Sequence, residues 1–177
     1  MSQITVGELL MHALQAEGID LIVGIIDGAH IPFVVHAERC GVRYVNAHHE
    51  EAAVHIAEGY TRLAHRPAAA LGNPGPGGAN LIAGLSSAYG EGHPVIGIAC
   101  TRRAAVNSPE RGGAWQATDL VAMAQPVTKY SALISRPERV PEMVRAAVRA
   151  ATTGRPGPAF LAIPDELLAQ KIDASKL

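Results

Sequence analysis

Charge is scarce in this chain. Asp, Glu, Lys and Arg make up 18% of the 177 residues, against 48% for the apolar set, and the net charge is −1. A balance of 15 basic and 16 acidic residues excludes the cationic footprint of a nucleic-acid binder and the polybasic cluster of a membrane-surface protein. So little charge also predicts that an extensive part of the surface is covered by an interface. Cysteine is nearly absent. Cys40 and Cys100 stand far apart with no CxxC spacing, which reads as two reduced, packed thiols in a cytoplasmic chain. The first residues lack a basic segment followed by an apolar stretch, so no signal peptide is expected. No apolar run approaches the roughly 20 residues of a membrane span.

Several chemical signatures are missing as well. Gly72–Asn80 is the most glycine-rich loop, and such a turn between strand and helix presents backbone N–H groups to an anion. It lacks the Lys-Ser/Thr of a P-loop and the spacing of a dinucleotide fingerprint, and Pro74 and Pro76 remove two donors. A ligand loop and a tight structural turn both fit it. Ser86 and Ser87 lack a nucleophile-elbow pattern. His48, His49 and His55 are close in sequence without thiol neighbours, which disfavours zinc; no metal-ligating set is assigned.

The residues present alternate between short apolar runs and amphipathic stretches. Leu21–Ile26, Val42–Asn46, Ala68–Leu71, Pro94–Cys100, Val127–Ile134 and Pro158–Ile163 read as strands, several apolar on both faces. Helices are expected over the segment that Thr5 and Glu8 open as a capping box and Gly18 closes, and over Ile31–Glu38, Glu51–Ala64, Leu81–Tyr89, Thr118–Met123 and Pro141–Thr152. Thr101–Ala114 reads as polar and irregular, and the stretch after Pro164-Asp165 as a polar tail. This alternation predicts an α/β fold, a doubly wound parallel sheet with helices on both faces, forming one domain over residues 1–177. Ligands in such sheets bind at the carboxyl ends of the strands. Glu50, the Asn73–Asn80 loop and the Thr101–Gln116 segment all follow strands.

The stretch His48-His49-Glu50-Glu51 opens one of these helices. At the helical period of about 100° per residue, Ala52, Ala53, Val54, Ile56, Ala57, Tyr60 and Leu63 share an arc with Glu50. Glu51, His55, Glu58 and Arg62 form the opposite stripe. Glu51 reads as solvated and Glu50 as facing something packed. An acid in a first helical turn also satisfies free N–H groups and complements the helix dipole, so the pattern alone leaves a structural role open.

The order of motifs resembles one family over nearly the whole chain. The carriers are Gly28-Ala29 with Pro32, His49-Glu50 with Glu58-Gly59-Tyr60-Thr61-Arg62, Gly75-Pro76-Gly77 with Asn80-Leu81, Ala88-Tyr89 with Pro94, Gln116-Ala117 with Asp119, Pro126-Val127-Thr128-Lys129, and Gly154-Arg155-Pro156-Gly157-Pro158 with Pro164. In this order they resemble the pyrimidine-binding (PYR) domain of thiamine-diphosphate enzymes such as acetolactate synthase, benzoylformate decarboxylase and glyoxylate carboligase. The resemblance implies that Glu50 hydrogen-bonds N1′ of the cofactor's aminopyrimidine and shuttles the proton that activates it. A desolvated carboxylate suits that role. It also implies cofactor contacts from Ile26, Asp27, Asn73 and Asn80, and a substrate pocket drawing on His30, Asn73, His93 and Gln116.

Departures from the family pattern are equally informative. Ile26-Asp27 stands where a Pro-Gly turn is usual, and Asn73-Pro74-Gly75 where Thr-Ser-Gly is common. Asn73 falls at about the place of a substrate-facing His in benzoylformate decarboxylase. No Gly-Asp-Gly motif for Mg²⁺ and the diphosphate occurs in the chain, and no cluster of hard oxygen ligands replaces it. The resemblance therefore implies thiamine diphosphate as cofactor, with Mg²⁺ bound by a partner. That partner is a diphosphate-binding (PP-domain) β subunit, in an α2β2 or larger assembly, with this chain as the α subunit of a 2-oxo acid decarboxylase or carboligase. A non-catalytic PYR-like interaction protein and a fragment of a full-length acetolactate synthase-like enzyme are the alternatives.

Overall fold

The inner apolar runs become fully buried strands in the computed structural model, which describes residues 3–107 and 114–173, while the runs at the two sheet edges stay partly exposed. Strand β1 (Gln3–Thr5) leads into α1 (Val6–Ala16), where the Thr5 hydroxyl accepts from Glu8 N at 3.1 Å as the capping pattern predicts. Then come β2 (Leu21–Gly24), α2 (Ile31–Val34), β3 (Arg43–Asn46), α3 (Glu50–Ala64), β4 (Ala68–Gly72) and α4 (Pro76–Glu91). The second half holds β5 (Val95–Thr101), α5 (Ala104–Asn107), α6 (Leu120–Ala124), β6 (Tyr130–Leu133) and α7 (Val140–Thr152). It closes with β7 (Ala159–Pro164), α8 (Asp165–Leu168) and β8 (Lys171–Asp173).

Six strands pair in the order β3-β2-β4-β5-β7-β6, every neighbour parallel. Alternate residues feed two cores. Ile22, Leu71, Ile98 and Leu161 pack with α1 and α7 on one face; Val23, Ala70, Ala99 and Phe160 pack with α3 and α4 on the other. This is the doubly wound sheet that the alternation of apolar runs and helices predicts. From β2 the chain moves outward to β3 and then crosses back to β4 on the other side. That reversal opens a crevice at the carboxyl ends of β2 and β4, where such sheets take ligands.

Some elements differ from expectation for identifiable reasons. Helix α4 begins at Pro76, inside the glycine-rich stretch, rather than at Leu81. Proline suits the first helical position because its φ is preset and its missing N–H has no helical partner there. The helix expected over Ile31–Glu38 stops at Val34 and is followed by a 3-10 turn over Glu38–Cys40. A helix, α5, interrupts the segment read as irregular, the rest of which lies partly outside the described residues. The tail read as polar supplies β8, which pairs antiparallel with β1. Cys100 is buried but Cys40 only half-buried. No helix among the described residues is long and apolar enough to cross a membrane.

Helix α3 shows the largest shift of face. Its buried residues are Glu50, Ala53, Val54, Ala57, Glu58 and Thr61, whereas Ile56 is exposed and Leu63 is 83% exposed. The apolar arc drawn from sequence is therefore rotated away from the packed one, and Glu58 leaves the solvated stripe. Polar residues can enter because they satisfy themselves locally: Thr61 Oγ1 donates to Glu58 O at 2.9 Å, and Glu58 Oε2 lies 2.6 Å from His55 Nδ1.

Candidate active site at the carboxyl ends of the strands

Strand β3 delivers the chain to α3 through His49, whose extended backbone makes it the N-cap and whose Nδ1 accepts from Glu51 N at 3.3 Å. The next side chain, Glu50, turns inward and is only 6% exposed, while Glu51 faces solvent. Glu50 Oε2 accepts from Asn80 Nδ2 at 3.3 Å. Its other oxygen abuts Gly77, where an added Cβ would sit 2.5 Å from Oε1 and 2.7 Å from Asn73 Cβ. Only glycine fits there. Asn73, the first residue past β4, carries a buried Oδ1 without a hydrogen-bond partner among the described residues. Gly75 adopts φ 64° and would bring a Cβ within 2.8 Å of Gln116 Cα. Gln116 itself has φ 64°, a left-handed conformation that costs a non-glycine residue about 1 kcal/mol or more. Glu50, Asn73 and Asn80 thus form one cluster, with Gln116 behind its glycine wall.

Ile26, Asp27 and His30 belong to the turn after β2 and form a second cluster. Asp27 Oδ1 accepts from Ala29 N at 2.9 Å and lies 3.1 Å from His30 Nδ1. The imidazole of His30 is 1% exposed, and neither ring nitrogen makes an aligned hydrogen bond among the described residues. That imidazole holds the Asp27 carboxyl below its usual range, against an opposing contribution from burial. Asp27 lines a cavity of about 480 Å³ together with Arg102, Arg103, Trp115, Gln116 and Asp165. Gln116, which lines this cavity, is also the residue that Gly75 lies against. Arg102 Nη1 donates to Asp165 Oδ2 at 3.2 Å, and Asp165 Oδ1 is buried without a partner among the described residues. Burial, with the neighbouring Glu166 carboxyl, pushes Asp165 above its usual range.

His93 is not brought to either cluster. It precedes β5, at the amino end of the strands, and lines a separate cavity of about 440 Å³ with Arg62, His65 and Arg66. A residue before a parallel strand lies at the amino end, a signal present in the sequence. Arg102 and Asp165 carry no site signal in the sequence, whereas Gly77 belongs to the Gly75-Pro76-Gly77 run on which the resemblance rests. Among the described residues no group of three or more His, Cys, Asp or Glu is placed to hold a metal ion.

A buried carboxylate at a helix start, walled by a glycine, thus stands in a crevice at the switch point of the sheet. Residues 4–123 match the family described as "Thiamine pyrophosphate enzyme, N-terminal TPP binding domain". The chain belongs to the thiamine pyrophosphate enzymes. Within that family it is 34% identical over 169 residues to the probable acetolactate synthase large subunit of Methanocaldococcus jannaschii, covering 96% of this chain and 28% of that protein. It is 31% identical over 178 residues to the acetolactate synthase of Arthrospira platensis, covering 98% of this chain and 30% of that one. With the acetolactate synthase isozyme 1 large subunit of Escherichia coli it shares 30% over 164 residues, covering 92% and 29%. The chain thus spans less than a third of the length of these relatives.

The residues present fit the group that a thiamine pyrophosphate enzyme uses. An aminopyrimidine offers ring nitrogens beside an exocyclic N–H donor. The site offers a buried carboxylate and Asn73 Oδ1, without a partner among the described residues, beside a glycine that leaves room where a side chain would intrude.

Proposed function

We propose that this chain is the pyrimidine-binding half of a two-component thiamine-diphosphate enzyme that decarboxylates or carboligates a 2-oxo acid. Residues 1–177 act in it as one PYR domain. The observation that carries the reading is Glu50, a carboxylate withdrawn from water with a single side-chain donor, Asn80, on one oxygen and the Gly77 backbone against the other. Thiamine diphosphate, when bound, supplies the electron sink that 2-oxo acid chemistry needs. Glu50 holds and returns the proton at the pyrimidine edge. Asn80 keeps the carboxylate oriented; with the cofactor bound, Asn73 Oδ1 would accept from an N–H of the aminopyrimidine and Gly77 would leave the ring room. Gln116 and the turn at Ile26-Asp27 border the space left for substrate.

The partner supplies what this chain lacks, a site for Mg²⁺ and the diphosphate. Ile26 and Trp115, exposed apolar side chains at the crevice, and Met123 beyond it support a covered interface there. The coverage of relatives also favours a second reading, in which these residues are one part of a longer acetolactate synthase-like polypeptide. The mass of the native chain and of whatever copurifies with it separates the two.

Glu50→Gln in the assembled enzyme is the direct test. Removing a general acid–base group costs on the order of a hundredfold or more in turnover, with thiamine-diphosphate binding weakened less. Turnover near that of the unaltered enzyme overturns the assignment.

A further inference from the structure

The cluster around Glu50 makes no use of Asp27, although this carboxylate is built with care. The backbone of Ala29 donates to Oδ1 from two residues on, the His30 ring sits against the same oxygen, and His30 N donates to Asp27 O at 3.1 Å. The Ala29 hydrogen bond and the neighbouring imidazole orient the side chain at the crevice. It is 34% exposed, and its exposed part looks onto the cavity it shares with Gln116, Arg102 and Arg103. With His30 beside it, the carboxyl is ionised at neutral pH.

We propose that Asp27 determines specificity in this crevice by accepting a hydrogen bond from a hydroxyl or ammonium group at the end of the ligand remote from its carboxylate. The inference deepens the 2-oxo acid reading and rests on it. A ligand that fills the cavity strips water from Asp27. A dehydrated carboxylate is costly unless something donates to it. An alkyl tail laid over Asp27 leaves that cost unmet, and a ligand carboxylate adds repulsion to it. The two guanidiniums of the cavity give the ligand's own carboxylate its counter-charge, although Arg102 shares its charge with Asp165. A small acid carrying a donor at its far end meets both demands.

A matched pair of probes reads this out on the full chain. Pyruvate and hydroxypyruvate differ by one hydroxyl at the end remote from the carboxylate, and their dissociation constants follow from ligand-observed NMR titration. A hydrogen bond to a charged group predicts that hydroxypyruvate binds about tenfold tighter. Asp27→Asn keeps the turn's acceptor and loses the charge, so the ratio narrows. Asp27→Gly restores the residue usual at this turn and brings the ratio to about one. Equal affinities for the unaltered chain, a preference that survives Asp27→Gly, or no binding of either probe overturns the proposal. A preference lost in Asp27→Gly while Glu50→Gln keeps full turnover would sink the thiamine-diphosphate role and spare Asp27. Loss of turnover in Glu50→Gln with no preference between the probes would do the reverse.

Discussion

At the amino ends of the strands polar side chains find partners within the chain, whereas at the carboxyl ends several are left without one. Arg62 Nη2 donates to Glu91 Oε2 at 2.8 Å and to His93 Nε2 at 2.9 Å, and Arg66 Nη1 to Asp20 Oδ2 at 2.6 Å. Lys129 Nζ donates to the carbonyls of Thr153 and Arg155, and Arg155 Nη2 to that of Gly90. Helices α3, α4 and α7 all end on this side, so cations also complement their dipoles. On the other side stand His30 after β2, Asn73 after β4 and Asp165 after β7. They hold all four buried side-chain nitrogen or oxygen atoms without a partner among the described residues. Both ends have a cavity of similar size. Concavity therefore does not separate the two ends; unmet hydrogen bonding among the described residues does.

The two ends differ most at Gly77. Replacing it with alanine drives a methyl into the Glu50 carboxylate. Overpacking of this kind costs about 1–3 kcal/mol in stability, and thiamine-diphosphate binding is lost with it. Gly59→Ala in α3, where a Cβ meets nothing within 4 Å, is the control. There a gain of roughly 0.5–1 kcal/mol from helix propensity is expected. Thermal melts and cofactor titration check both variants, and retention of binding by Gly77→Ala contradicts the cradle.

A smaller effect separates two carboxylates of the same crevice. Asp27 is held below its ordinary value of 3.8 when folded, so its charged form adds stability above that pH and loses it as the pH falls further. Asp165 is held above 3.8, so its charged form subtracts stability as the pH rises through its folded value. At neutral pH Asp27→Asn therefore lowers the melting temperature and Asp165→Asn raises it, and both differences fade in acid. Melting temperatures across pH 3 to 7 test the signs; matching signs at neutrality contradict the picture. The smallest effect belongs to the amino end. Arg62 and Glu91 are both more than half exposed, so Arg62→Ala costs no more than about 1 kcal/mol. Cofactor binding and turnover stay unchanged. A loss of turnover there would mean that the two ends are coupled.

Much of this arrangement is legible in the residues. Strands such as β2, β5 and β7 are apolar on both faces and bounded by turn residues, and only a parallel sheet between helix layers buries them so. Their order then puts Glu50, Asn73 and Asn80 at one end. Three features resisted. Strands β1 and β8 are short and mixed in polarity, so no period marks them, and their pairing depends on a contact between distant parts of the chain. The buried face of α3 is hidden because Glu58 and Thr61 bond to their own helix and its His55, which hydrophobicity does not register. His93 looks like a site residue until its position before a strand is weighed. Spacing puts Glu50 at a packed surface and shows the glycine at 77; that Asn73 Oδ1 is buried there without a partner among the described residues, and that Gly77 stands against the Glu50 carboxylate, depends on how β4 and α4 come together.

The ribbon of β1 against β8 has a mechanical consequence. Gln3 lies opposite Asp173 and Thr5 opposite Lys171, so tension applied at residues 3 and 173 peels this ribbon open one pair at a time. The six parallel strands bear no load until it has parted. Its closure also joins the most distant parts of the described chain, which places it late in folding, after the sheet has formed. The same seam acts as a weak clasp, the last to fasten and the first to give.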